Sequence, residues 1–120
     1  MHSTTVSWLE GTWRSNKERT IYSWRQHEPI PESRRLFMES KIGKHINHFA
    51  NGIWTHKYEE DGFSLPYRVV WSNDNSLFVV YGLGQEETGE QLTFTSPESY
   101  WVHRGWYVEY FSKINQAVST

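Results

Sequence analysis

HINHFANGIWTHKYEEDGFSLPYRVVWSNDNSLFVVY, residues 45–81, decides how this chain folds. Asn51-Gly52 stands between two alternating runs, and Asn-Gly in that setting is the strongest short-range signal for a tight β-hairpin. The stretch divides into four strands, His45–Ala50, Ile53–Tyr58, Phe63–Ser72 and Ser76–Tyr81. The connections are Asn51-Gly52, Glu59-Glu60-Asp61-Gly62 and Asn73-Asp74-Asn75. A two-residue turn at Asn51-Gly52 pairs Ala50 with Ile53, Phe49 with Trp54, Asn47 with His56 and His45 with Tyr58. Side chains alternate across a strand, so His45, Asn47, Phe49, Trp54, His56 and Tyr58 share one face. Closing the later hairpin over Asn73–Asn75 pairs Trp71 with Leu77, Val69 with Val79 and Tyr67 with Tyr81. With Phe63 and Leu65, those residues form an almost unbroken apolar face.

Upstream, Val6, Trp8 and Leu9 cluster as one helical turn, and Gly11–Ser15 reads as a short strand with Trp13 on one face and Thr12 and Arg14 on the other. Ser15-Asn16-Lys17-Glu18 matches a capping box and predicts a helix over Asn16–Gln26, with Ile21, Tyr22 and Trp24 inward, ended by Pro29 and Pro31. A second helix is predicted over Glu32–Ile42, with Phe37, Met38 and Ile42 inward and Gly43 as a left-handed terminator. Downstream, Gly82–Glu90 reads as a polar loop at one rim, followed by strands at Gln91–Thr95, Ser99–His103 and Trp106–Phe111. Glu109 is expected to face water, which sends Trp106, Val108 and Tyr110 inward.

The 120 residues make a single domain, 1–120. Aromatics supply 17% of it, with seven Trp, seven Tyr and six Phe, enough to build a core or line a cavity from few residues. A net charge of −2 with no charge run argues against nucleic acid as the partner. The absence of cysteine removes disulfides, thiolate metal sites and a Cys nucleophile. The start lacks a signal-peptide pattern and no run is long and apolar enough to span a membrane, so a cytoplasmic protein without a membrane partner is expected.

About eight short antiparallel strands with one aromatic-rich face suggest an up-and-down barrel, mainly β, with two short helices after the first strand. Gly11-Thr12-Trp13 resembles the Gly-x-Trp signature at the first strand of lipocalins and their calycin relatives. The run Gly11–Thr20 is similar to small bacterial lipocalin-like proteins, in which two short helices follow that strand, and Tyr110-Phe111 fits their last strand. The resemblance covers nearly the whole chain. It implies a lipocalin-like barrel in which Trp13 packs over the closed end against a basic residue, either Arg104 or Lys113. Lipocalins share a barrel and not a ligand, so the resemblance transfers no binding residue.

The leading functional reading is a barrel that holds a small apolar or aromatic molecule inside, lined by Phe49, Trp54, His56, Tyr67, Trp71, Tyr81 and Tyr110. His45, Asn47 and His56 are the polar groups on the same face. The alternative is a filled-core interaction or homodimerisation module with Phe78, Val80, Tyr100, Tyr107 and Phe111 outward. Arg68 is expected to pair outward with Glu109 or Glu59. His45, His56 and His103 are imidazoles of the kind that ligate zinc or haem iron, but nothing in their spacing demands it, so neither metal nor cofactor is assigned. No nucleophile elbow, P-loop, dinucleotide fingerprint or His-Glu-x-x-His motif is present, which leaves His56 or His103 as the base of any enzyme activity.

Overall fold

The computed structural model describes residues 4–24, 31–104 and 107–114. Helix α1 (Thr4–Trp8) leads into β1 (Gly11–Ser15), then α2 (Lys17–Trp24) and α3 (Glu32–Lys41). The strands β2 (His45–Ala50), β3 (Ile53–Tyr58), β4 (Asp61–Ser72), β5 (Ser76–Tyr81), β6 (Thr88–Ser96), β7 (Ser99–His103) and β8 (Val108–Lys113) complete the chain. They form a closed, wholly antiparallel barrel in chain order, sealed by β1 against β8 through Trp13↔Lys113 and Ser15↔Phe111. No described helix is long and apolar enough to cross a membrane.

The first hairpin has the register that Asn51-Gly52 dictates, from Ala50↔Ile53 to His45↔Tyr58, with φ of 54° at Asn51 and 77° at Gly52. The next turn is tighter than expected. Tyr58 pairs with Asp61, so Glu59-Glu60 alone turns the chain and Asp61-Gly62 joins β4. The later hairpin departs from expectation in one consequential way. Asn73 Oδ1 accepts from the backbone N–H of Asn75 and Ser76, and Asn73 N–H donates to the Ser76 carbonyl. That Asx-type closure pairs Ser72 with Leu77 and Trp71 with Phe78, while Tyr67↔Tyr81 and Val69↔Val79 hold. The one-residue difference is absorbed as a bulge at Val70. Trp71 therefore points outward, 49% exposed, and not into the barrel.

One half of the barrel is solid. Trp13, fully buried, meets the edges of Phe94 and Tyr100, and Tyr100 stacks on Phe111 at 5.0 Å. α1 plugs this end: Thr5 Oγ1 bonds the carbonyls of the Asn73–Asn75 turn, and the Trp13 indole donates to Leu9 O at 2.9 Å. Lys113 is the basic residue against Trp13, with Nζ 5.0 Å from the ring and bonded to Trp8 O. Arg104 sits at the opposite end.

The last hairpin is inverted relative to expectation. Tyr100 and Phe111, expected outside, are core residues, and Glu109 between them in phase is 2% exposed. Tyr110 faces outward beneath α2, whose Arg19 guanidinium lies 4.4 Å over its ring. Thr20, fully buried, accepts the Tyr110 N–H. The helix cap also differs: Asn16 Oδ1 caps α2 through Arg19 N–H, because Ser15 Oγ is directed inward to Glu109. Tyr22 and Phe37 are exposed and Met38 is half-buried, whereas Ile42 is buried and Gly43 takes φ 93°. α3 buries no residue because it lies on the surface, its Arg35 paired with Glu32 and Glu39. Arg68 pairs with Glu87 and Glu59 with Lys44. Residues 25–26, 106 and the side chain of Trp24 fall outside the described residues. The rim loop is shorter than expected: β6 begins at Thr88, so Gly89 and Glu90 belong to a strand.

Candidate functional site

The half of the barrel away from α1 is open. A cleft of about 680 Å³ occupies it, reached where β2, β3 and the ends of β5 to β8 meet solvent. One wall is aromatic. Trp54 and Tyr81 approach with ring centres 4.1 Å apart, and Phe63 sets its edge to Trp54 at 5.4 Å. Cross-strand pairing puts them there: Trp54 is opposite Leu65, His56 is opposite Phe63, and Tyr81 closes β5 beside Tyr67.

The other wall is polar and rests on Glu109. Its Oε2 accepts from Ser15 Oγ at 2.7 Å and His45 Nδ1 at 3.1 Å, and its Oε1 accepts from Arg104 Nε at 3.0 Å. Burial pushes this carboxyl upward, but His45, Arg104 and Ser15 outweigh it and hold the group ionised, down to about 2. Arg104 keeps 35% of its side chain in solvent and reaches Glu90 Oε2 at 3.7 Å. Burial acts against its charge, and the two carboxylates more than restore it. Glu90 has no such set of donors. Burial raises its carboxyl above the ordinary range against the pull of Arg104, and Tyr81 OH donates to its Oε1 at a long 3.4 Å.

Asn47 sets the second imidazole. The Trp54 indole can only donate, and it donates to Asn47 Oδ1 at 3.0 Å, which fixes the amide orientation. The same oxygen lies 2.8 Å from His56 Nδ1, so that nitrogen carries the proton and Nε2 keeps the lone pair. The Asn47 amide nitrogen donates to Tyr100 OH at 3.2 Å. Burial, then His45 and Arg104, lower the pKa of His56 and keep it neutral at pH 7. The His45 and His56 rings are 5.4 Å apart.

Of the residues the sequence nominates, Trp54, His56 and Tyr81 line the cleft. Phe49 is fully buried in the core, in contact with Tyr67 and Tyr81, and Tyr67 is a half-buried neighbour of that core. Trp71 and Tyr110 are on the outer surface, turned there by the Val70 bulge and by α2, so neither faces the interior. Sequence reasoning missed Glu90, Arg104 and Glu109. The signal that finds Glu109 is its even spacing from Phe111, since residues two apart share a face. His103 is at the rim, and among the described residues no three His, Cys, Asp or Glu side chains gather as a metal-binding group. Compared with known proteins, the chain matches no family model, no curated protein and no solved structure.

Proposed function

We propose that this barrel binds a small molecule in the open cleft, with an aromatic or apolar body against Trp54, Phe63 and Tyr81 and a polar end toward Glu90, His45 and His56. The observation that carries this reading is the pairing of an aromatic wall with convergent, rigidly held polar groups in a cleft of about 680 Å³, the size of small-ligand sites. The resemblance of Gly11–Thr20 to lipocalin-like proteins supports it. Titrating the protein with retinoids, fatty acids and aromatic metabolites tests it, because Trp54 lies in the cleft and its emission responds to an adjacent ligand. A bound ligand shifts Trp emission in the wild type and raises the melting temperature. The response to ligand is lost in Trp54→Leu if Trp54 is the reporter. No response from any member of the panel sinks the reading.

A second reading draws on the outer surface. Val70, Trp71 and Phe78 are exposed together around the β4 bulge, an apolar patch suited to a second copy of the chain. Sedimentation across a hundredfold concentration range separates this from a monomeric binding protein.

A further inference from the structure

The cleft's hydrogen-bonding valences are lopsided. Three of the donors on its wall are turned back onto the protein: Trp54 Nε1 onto Asn47, Tyr81 OH onto Glu90, and Arg104 Nε onto Glu109, while Arg104 Nη1 stands 3.7 Å from Glu90. His45 and His56 each direct Nδ1 to a protein acceptor. Unmet acceptor capacity is concentrated at two points: no protein hydrogen bond among the described residues reaches the lone pair at His56 Nε2, and Glu90 meets only the long Tyr81 contact and Arg104 at 3.7 Å. Among the described lining residues, two carboxylates face a single guanidinium. A ligand's polar end must complement what the wall offers, because an unpaired buried polar group costs about 1–3 kcal/mol.

We infer that the polar end of the ligand is a hydrogen-bond-donating cation, a primary ammonium group on an aromatic or apolar body, seated at Glu90 with His56 Nε2 as a second acceptor. Two independent features favour it over an anion. Arg104, the group an anion would seek, is already shared between Glu109 and Glu90. The aromatic wall of Trp54, packed on Tyr81, and the exposed Phe63 ring beside it borders the same cleft, and aromatic faces attract cations and repel carboxylates. Glu90 is the specific anchor, since Glu109 is sealed behind His45, Ser15 and Arg104.

This inference rests on the cleft being a binding site, and three probes of one shape separate the two claims. The probes are 3-phenylpropan-1-amine, 3-phenylpropan-1-ol and 3-phenylpropanoate, titrated by calorimetry and Trp fluorescence at neutral pH. The amine binds at least tenfold more tightly than the alcohol, and the carboxylate more weakly than both. Glu90→Gln keeps an acceptor for Tyr81 OH, so its melting temperature stays near that of the wild type. It lowers amine affinity about ten- to a hundredfold, the range expected for one charge-assisted hydrogen bond, and alcohol affinity by less than about threefold, because Gln still accepts a hydroxyl. If the alcohol or the carboxylate binds as well as the amine, or if Glu90→Gln leaves amine affinity intact, the cationic head is wrong while the binding site stands. If none of the three binds, the inference and the binding reading fall together.

Discussion

Glu109 shows why a single charge can invert the reading of a strand. A carboxylate in an alternating segment is ordinarily assigned to water, because burying it alone is prohibitive. Here Ser15, His45 and Arg104 together supply the donors, from β1, β2 and the end of β7. Removing the carboxylate leaves Arg104 without its main partner in a half-buried position. Glu109→Ala is expected to lower unfolding free energy by about 3 kcal/mol in urea titration, in the range for breaking one side of a buried pair. The pH dependence follows from the same contacts. A carboxyl held at about 2 when folded, against an ordinary value of 4.5, stabilises the protein above the ordinary value and loses that contribution as pH falls toward 2. The loss is on the order of 3 kcal/mol. Glu90, whose carboxyl is raised, opposes it: its contribution is present at low pH and disappears as pH rises through its folded value. Acid unfolding of Glu109→Gln is therefore expected to be flatter below pH 4.5 than that of the wild type; equal slopes refute the assignment.

At the scale of elements, the hairpins differ in how much of their geometry is local. In β2–β3 the turn is two residues long and Asn-Gly admits only the positive-φ geometry, so register and sidedness follow from adjacent residues. In β4–β5 the turn is closed by the Asn73 side chain, and a shift of one residue is enough to put Trp71 outside. Two Trp substitutions check this directly. Trp71→Ser is expected to change stability by less than about 0.5 kcal/mol, as for an exposed site, whereas Trp13→Ala costs about 3–5 kcal/mol, as for a large core ring. Comparable losses at both positions would put Trp71 back in the core. α2 explains Tyr110 in the same terms: an outward ring on β8 is not exposed when a helix covers it, and Arg19 completes the stack.

For the whole molecule, closure separates a solid end from an open one. α1, Trp13 and Lys113 shut one end through contacts between the two termini of the barrel, and every polar group discussed for binding lies at the other. Lys113→Met keeps the stem's packing and removes the ammonium. It is expected to loosen α1, seen as faster amide exchange over Thr4–Leu9 and a stability loss of about 1 kcal/mol, with probe binding at the open end unchanged. A change in binding would mean that the two ends are coupled. The sequence by itself determined the strand count, the meander, the Asn51-Gly52 register and the company of His45, Asn47, Trp54 and His56 on one face. These depend on turn chemistry and period-2 alternation between neighbours in the chain. Only the tertiary structure decided the phase of β7 and β8 and the outward turn of Trp71. Tyr100, Trp101, Val102, Tyr110 and Phe111 are bulky on both faces, so alternation has no sign there. The stabilisation that buries Glu109 comes from side chains that meet only once the barrel has closed.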